Sequence, residues 1–284
     1  MEDEHHRDGD TRRRVLVVED NAVNQLVARG LLESLGYDVA VADDGADAVA
    51  LLEHEAFDAV LMDVQMPRMD GYSATRAIRA GERDGRRTPV IAMTAWAVEG
   101  ERERCLAAGM DDFLTKPVDP LVLEATLRRL LAHDGRDPGA DAVPAPAMDG
   151  VPSGPPDTYD VGRLEMLRAF DDEEDGSFLV RAITNFAAHS TSAVATIREG
   201  LRTGDLHTVT QTAHKLVGSA SNLGVVAAAD TARRIEVAVV GGDVAAAQAL
   251  VPDLESAVAA GQGWLGRYRA EHLERAEAKK HPMG

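Results

Sequence analysis

From residue 13 to residue 133 the chain alternates between short apolar runs and longer stretches with helical spacing. In the stretch 22–35 the leucines share one face of a helix, and Gly36 follows at a position where helices often end. Continuously apolar runs between helices are typical of a parallel sheet that is covered on both faces. We therefore predict a doubly wound α/β sandwich with five βα units, whose parallel strands lie at 15–18, 39–42, 59–62, 90–93 and 112–114.

After residue 159 the pattern is helical throughout. Small clusters that contain glycine, such as Gly241-Gly242-Asp243, separate the segments. Long helices joined by short loops form antiparallel bundles. We therefore predict an all-α second domain at 159–280, an antiparallel four-helix bundle with helical segments at 161–170, 177–202, 205–220, 225–239 and 244–260 and a last one near 264–278.

Between these two domains, residues 134–158 have a different composition. The segment holds six of the 12 prolines in the chain, five aspartates and four glycines, and almost no large apolar side chain. Such a segment cannot bury a core, and proline-rich chains favour extended conformations. We expect a flexible linker between a first domain at 13–133 and a second domain at 159–280.

Composition narrows the classes of partner and compartment. Lys and Arg number 30 against 48 Asp and Glu, which gives a formal net charge of −18, and each domain is acidic by itself. Nucleic acid and anionic lipid repel an acidic surface, so we expect neither nucleic acid nor a membrane as a partner. We find no apolar run long enough for a membrane span or a signal peptide, and Cys105 is the sole cysteine. These features predict a cytoplasmic protein.

Polar residues follow the predicted strands at their carboxyl ends, where open parallel sheets bind ligands. They are Glu19, Asp20, Asp63, Thr94 and Lys116. Clustered carboxylates repel one another unless a cation lies among them, and an all-oxygen set of ligands suits Mg²⁺. A carboxylate beside Mg²⁺, a lysine and a hydroxyl can attack a phosphoryl group. The alternative from the residues alone is a solvated acidic rim.

The residue type at position 116 favours the phosphoryl-binding interpretation. Only four of the 30 basic residues are lysines, and they are Lys116, Lys215, Lys279 and Lys280. The planar guanidinium of arginine cannot replace a compact ammonium in a small site. We therefore expect Lys116 to belong to the site.

Four motifs of the first domain resemble the receiver domain of two-component response regulators. They are VLVVEDN at 15–21, VLMDVQMPRMDG at 60–71, MTA at 93–95 and TKP at 115–117. The resemblance implies that Asp63 accepts a phosphoryl group and that Thr94 and Lys116 contact it. It also implies a Mg²⁺ site formed by Glu19, Asp20, Asp63 and the backbone carbonyl of Gln65.

Three further side chains are candidates for tuning this reaction. By the resemblance, Phe113 is the aromatic switch partner of Thr94, and a plain core aromatic is the alternative. The amide of Gln65 can orient a water molecule for hydrolysis, whereas the indole of Trp96 occupies space. We therefore expect Trp96 to slow hydrolysis of the aspartyl phosphate. The alternatives for Trp96 are packing on the surface or against a docked partner.

In the second domain, His214 lies in the middle of a predicted helix, within AHKLVGSASNLG at 213–224. A histidine in such a position is often solvated or held in a core. Here Gly218 falls on the same helical face, about 40° away, and leaves a bare patch for docking of another protein. A neutral imidazole is also a good nucleophile for phosphorus near neutral pH.

This segment resembles the histidine phosphotransfer (Hpt) domain, as does RRIE at 233–236. The resemblance implies that His214 is phosphorylated on its exposed ring nitrogen and that Glu236 bonds to the other nitrogen. Val217 stands where the family usually has a lysine that holds the phosphoryl oxygens. Lys215 is rotated about 100° from His214 around the helix, so we do not expect it to take over that role.

Together these features predict a phosphorelay intermediate with Mg²⁺ as cofactor. A histidine kinase would donate a phosphoryl group to Asp63, and His214 would relay phosphoryl groups to or from the aspartate of a downstream receiver or of its own receiver. We expect a phosphotransfer protein and no enzyme, because we find no kinase domain for ATP. The alternatives are a detached C-terminal portion of a hybrid sensor kinase and a regulatory scaffold with an unreactive His214. The acidic second domain disfavours a transcription factor.

Overall fold

The computed structural model describes residues 12–82, 87–94, 101–132, 158–169 and 177–273. Trp96 and all but the last residue of the predicted linker 134–158 lie outside these ranges. Within them, we find no helix that is both long and apolar enough to cross a membrane.

The first domain contains a five-stranded parallel sheet. Its strands are β1 (Arg14–Val18), β2 (Asp38–Ala42), β3 (Ala59–Asp63), β4 (Val90–Thr94) and β5 (Asp112–Thr115). A helix follows each strand: α1 (Ala22–Ser34), α2 (Gly45–His54), α3 (Gly71–Gly81), α4 (Glu101–Ala107) and α5 (Pro120–Leu131). The strand order is β2-β1-β3-β4-β5, so the chain winds away from β1 in both directions. The predicted doubly wound α/β fold is confirmed.

Alternate residues of the strands face two separate apolar cores. In β1, Val15 and Val17 face one core with residues of α1 and α5, whereas Leu16 and Val18 face the other with residues of α2, α3 and α4. Every residue of β3 and β4 is buried. The continuous apolar runs in the sequence therefore reflect a sheet that is covered on both sides.

Helix caps and one glycine shape the carboxyl edge of the sheet. The side chain of Asn21 accepts hydrogen bonds from the first free amides of α1, and the same role in α2, α3 and α5 belongs to Asp44, Asp70 and Asp119. Gly71 leaves no room for a side chain, because a Cβ there would lie 2.3 Å from the backbone oxygen of Asp63. Helix α3 therefore begins in direct contact with the end of β3.

The second domain is helical. It comprises α6 (Val161–Ala169), α7 (Ser177–Thr203), α8 (Leu206–Asn222), α9 (Val226–Val240) and α10 (Val244–Tyr268), and α10 runs into a π-helical turn, Arg269–Leu273. Helices α7 to α10 each pack on the next, and α10 closes on α7. Loops of two or three residues join these four helices, so neighbours in sequence run antiparallel. The predicted four-helix bundle is confirmed, and α6 is an additional short helix.

Helix α10 is longer than its sequence pattern predicts. The pattern indicates an end near residue 260 and a separate stretch near 264–278, but α10 continues to Tyr268. A Cβ at Gly261 would lie 2.3 Å from Cγ1 of Val225. This glycine therefore lets α10 pack closely on the residue that precedes α9, and it does not end the helix.

The largest contact between the two domains is made by α1, which packs on α7 and α8. A Cβ at Gly30 of α1 would lie 2.8 Å from Cγ of the Phe178 ring on α7. Arg163 of α6 is buried and donates to the backbone oxygen of Val118 (2.9 Å) and to Oδ1 of Asn222 at the end of α8 (3.0 Å). The apolar core on the α1 side is continuous across the domain boundary.

Candidate functional site

Three carboxylates meet at the carboxyl edge of the sheet. Glu19 and Asp20 follow β1 and Asp63 ends β3, and one carboxylate oxygen of each lies within 4.8 Å of the others. Glu19 and Asp63 are almost fully buried, at 1% and 2% exposure. Buried carboxylates at such distances require compensating cations. The structure therefore brings together the three acidic residues that the sequence placed at this edge.

One compensating cation is Lys116, which follows β5. Its Nζ lies 2.6 Å from Oε2 of Glu19 and 2.7 Å from Oδ2 of Asp63. Burial by itself lowers the pKa of Lys116, but the two carboxylates outweigh burial and raise the pKa above its ordinary value. Lys116 is therefore charged at neutral pH and bridges the two most deeply buried carboxylates.

Two acids of the cluster, Glu19 and Asp20, have pKa values above their ordinary values. Burial raises the pKa of Glu19; the Lys116 ammonium opposes this rise, and the Asp63 carboxylate adds to it. Burial likewise raises the pKa of Asp20, and Lys215 opposes that rise because its Nζ lies 2.8 Å from Oδ2 of Asp20. Lys215 belongs to α8, so a residue of the second domain neutralises an acid of the first.

The donor set fits a hard divalent cation such as Mg²⁺. Converging carboxylate oxygens are the ligands that Mg²⁺ prefers, and the ion keeps water molecules at its remaining positions. The Gln65 side chain is exposed, while its backbone N–H donates to Oδ1 of Asp63 at 3.1 Å. That bond keeps residue 65 beside the cluster, where the resemblance implies a further ligand from its carbonyl.

Thr94 and Phe113 lie on β4 and β5. Thr94 ends β4, is buried, and its backbone oxygen accepts a hydrogen bond from the Lys116 N–H at 2.7 Å. This bond joins β4 to the lysine that bridges Glu19 and Asp63. Phe113 is half-buried and packs against the apolar core on the side of α2, α3 and α4. Its predicted switch role stays a prediction, and Trp96 lies outside the described residues.

In the second domain, His214 on α8 contacts the carboxylate of Glu236 on α9. The imidazole Nδ1 lies 3.1 Å from Oε1 of Glu236, and the two side chains are 11% and 5% exposed. When Nδ1 carries the proton, it donates to this carboxylate and the lone pair stays on Nε2. The contact therefore fixes the orientation of the imidazole ring.

The face of α8 beside His214 contacts the first domain of the same chain. A Cβ at Gly218 would lie 2.7 Å from Nδ2 of Asn24. Asn24 also accepts a hydrogen bond from Nδ2 of Asn222 (2.9 Å), and Nδ2 of Asn21 donates to the backbone oxygen of Lys215 (3.0 Å). Positions 215, 218 and 222 recur at helical spacing, so one stripe of α8 lies along the start of α1.

Known families match both domains. Residues 15–128 match the response regulator receiver domain, and residues 181–264 match the Hpt domain. The chain joins a receiver domain to an Hpt domain. The receiver holds the carboxylate cluster and Lys116, and the Hpt domain holds His214 and Glu236.

The receiver is similar to segments of sensor kinases. The chain is 50% identical over 107 residues to the sensor protein GacS of Pseudomonas syringae pv. syringae. This match covers 37% of this chain and 12% of that protein. It is 46% identical over 113 residues to the sensor histidine kinase RcsC of Salmonella typhimurium. This match covers 40% of this chain and 12% of that protein. The chain therefore spans about an eighth of the length of these relatives.

Solved structures also match the receiver. One is the receiver domain of the sensor histidine kinase PA1611 from Pseudomonas aeruginosa PAO1, with a magnesium ion coordinated in its active site cleft. It is 49% identical, the match covers 43% of this chain and 100% of that one, and the TM-score is 0.41.

In the Hpt domain, apolar packing and positive charge belong to two different positions, Val217 and Lys215. Val217, at the position where the family usually has a lysine, is 2% exposed and belongs to the apolar core shared with the receiver. Lys215 extends to Asp20 of the receiver. In this chain position 217 packs, and position 215 supplies positive charge to the facing domain.

Sequence reasoning missed the residues that join the receiver to the Hpt domain. The rarity of lysine, which indicated a role for Lys116, is a signal that applies equally to Lys215. Asn24 and Arg163 carry no such signal, because a polar side chain on a helix is usually solvated. They become contacts only when two domains meet.

Proposed function

We propose that this chain is a phosphorelay intermediate that accepts a phosphoryl group on Asp63 and exchanges it with His214. The presence of a receiver and an Hpt domain in one chain supports relay signalling. The contact of α8 with the carboxylate edge supports Asp63 and His214 as the two acceptors. Lys215, the residue after His214, has its Nζ 2.8 Å from Oδ2 of Asp20 at this edge. Both proposed acceptors are therefore associated with one interface.

In the receiver, a carboxylate oxygen of Asp63 would attack the phosphorus of a donor phosphohistidine. The new P–O bond forms as the P–N bond breaks, and the donor imidazole leaves with the electron pair. Glu19, Asp20 and Asp63 would hold Mg²⁺, which neutralises charge on the phosphoryl oxygens when bound. Lys116 adds a fixed positive charge beside the attacking carboxylate, and the Thr94 hydroxyl can donate to a phosphoryl oxygen.

In the Hpt domain, Nε2 of His214 would attack the phosphorus of the Asp63 phosphate. The P–N bond forms as the P–O bond to Asp63 breaks, and Asp63 leaves as a carboxylate, so no proton is gained or lost. The imidazole acquires positive charge in this step. Glu236, 3.1 Å from Nδ1, stabilises that charge and holds the ring in position.

A separate histidine kinase would supply the phosphoryl group, since the two matched families are phosphotransfer modules without a kinase domain. Asp63 of this receiver or the aspartate of another receiver would exchange it with His214. A second candidate is the same receiver–Hpt unit acting as part of a hybrid sensor kinase. The much longer sensor kinases that the receiver resembles support this candidate equally.

The test is labelling of the full chain with radioactive acetyl phosphate in the presence and absence of Mg²⁺. We expect Mg²⁺-dependent label on Asp63 and a second, acid-labile and alkali-stable label on His214. Asp63→Asn should lose both labels. His214→Gln should keep the Asp63 label and lose the alkali-stable one.

Two variants serve as matched controls for this experiment. Asp38→Asn changes an exposed aspartate of β2, and His207→Gln changes an exposed histidine of α8, and both should label like the parent chain. Label that persists on Asp63→Asn would contradict the receiver assignment. An alkali-stable label that persists on His214→Gln would contradict the Hpt assignment, and a chain that never acquires this label is the regulatory scaffold.

A further inference from the structure

The contact between the receiver and its own Hpt domain has an apolar and a polar part. In the apolar part Gly30 accommodates the ring of Phe178. In the polar part Lys215 pairs with Asp20. The polar part lies at the proposed Mg²⁺ site, because Asp20 is one of the three clustered carboxylates. Domain docking and metal binding therefore use the same carboxylate.

The charges at this edge change when the Hpt domain docks. The three carboxylates carry three negative charges, and Lys116 compensates one of them between Glu19 and Asp63. Mg²⁺ would balance the remaining two in an undocked receiver. In the docked chain Lys215 already balances the charge of Asp20, so a divalent cation would leave the edge with an excess positive charge.

We propose that Lys215 couples docking of the receiver on its own Hpt domain to the metal site, so that docking and Mg²⁺ oppose each other at Asp20. The proposal rests on the proposed function for the identity of the metal site. Linkage makes the coupling reciprocal: docking weakens Mg²⁺ binding, and Mg²⁺ weakens docking by the same factor. Lys215 is a positioning residue of this coupling, because it contacts no reacting atom.

The test is the affinity of the full, unphosphorylated chain for Mg²⁺, measured by titration calorimetry at low ionic strength. Lys215→Gln should bind Mg²⁺ about five-fold more tightly than the parent chain, the order expected for a solvent-screened pair of charges. Lys215→Arg should stay close to the parent because it keeps the charge. Arg202→Gln is the matched control, since it removes one positive charge from an exposed position of the same domain.

A second variant tests whether the charge of Lys215 affects Mg²⁺ binding only when the two domains are docked. In Gly30→Gln the new side chain would occupy the place of the Phe178 ring and separate the domains while Lys215 stays intact. Faster hydrogen exchange in α1 and α8 reports that separation. We expect the variant to bind Mg²⁺ more tightly than the parent, as Lys215→Gln does. Separated domains with unchanged affinity for Mg²⁺ would overturn the proposal, as would a Lys215→Gln variant that matches Arg202→Gln.

These measurements do not depend on phosphotransfer. If Asp63 takes no label but the affinities change as described, the proposed function fails and the coupling stands. If Asp63 and His214 are labelled as proposed and the affinities do not change, the coupling fails alone.

Discussion

The two proposed phosphate-accepting sites differ in how much structure surrounds the nucleophile. Asp63 lies in a buried cluster with two further carboxylates and the ammonium of Lys116, all at the end of one sheet. His214 has the carboxylate of Glu236 beside its Nδ1 and otherwise lies on a bundle helix beside a glycine. The receiver therefore surrounds its proposed acceptor with several charged groups, whereas the Hpt domain holds the His214 imidazole through one carboxylate.

The largest effect that separates the two sites is expected for Lys116→Arg. The Lys116 side chain is 5% exposed and touches two carboxylates, so a planar guanidinium cannot keep both contacts. We expect labelling of Asp63 by acetyl phosphate to slow by about 100-fold, the size of effect seen when one electrostatic contact to the reacting group is lost. The matched control is Lys215→Arg, at a side chain that is 40% exposed. Equal labelling by both variants would contradict this account of the receiver site.

A smaller effect is expected for Glu236→Gln in the Hpt domain. The amide oxygen can still accept a hydrogen bond from Nδ1 of His214, but the negative charge beside the imidazole is lost. We expect transfer from Asp63 to His214 to slow by about ten-fold, while labelling of Asp63 stays unchanged. Asp230→Asn, at an exposed acid of the same helix, is the control. A transfer rate unaffected by Glu236→Gln would show that transfer needs no negative charge beside the imidazole.

The smallest effect is expected for Gly218→Ala. The new Cβ would lie 2.7 Å from Nδ2 of Asn24, so the receiver must shift slightly away from α8. We expect a slowing of transfer of about five-fold, on the order of 1 kcal/mol in the barrier. Gly266→Ala, at a helical glycine with open space around it, should have no effect.

Combining Gly218→Ala with Asn24→Ala should restore part of the rate, because the second change removes the group that the new methyl meets. A double variant that stays as slow as Gly218→Ala would place the cause within the Hpt domain. Measurement of both rates in single-turnover transfer assays decides between the two.

Most of the fold and much of the site follow from local patterns in the sequence. The strands are predictable because a parallel sheet is covered on both faces, so that a strand such as 59–62 consists of consecutive apolar residues. Glu19, Asp20 and Asp63 are predictable as a group because strand ends share one edge. Glu236 is found through the Hpt resemblance, and the structure places its carboxylate against His214.

The features that escape prediction depend on contacts between distant segments. Gly261 has the sequence signature of a helix end, and only the neighbouring Val225 side chain gives it a packing role. On an isolated helix α8, Lys215 would point into solvent. It becomes an ion-pair partner of Asp20 only because the receiver packs against this helix. Arg163 is buried for the same reason, because it lies between Val118 and Asn222.

The contact of Asn24 with the α8 face has a consequence for signalling fidelity. In the proposed function, a receiver from another pathway would have to dock on a face of α8 that this chain's own receiver already contacts. A tethered competitor acts at an effective concentration of about 1 mM, far above that of a freely diffusing protein. The apparent affinity for outside receivers equals the intrinsic affinity multiplied by the fraction of time that the face is free. Under the proposed function, the fusion would therefore limit crosstalk at His214, and an outside acceptor would gain access only in the intervals when the two domains separate.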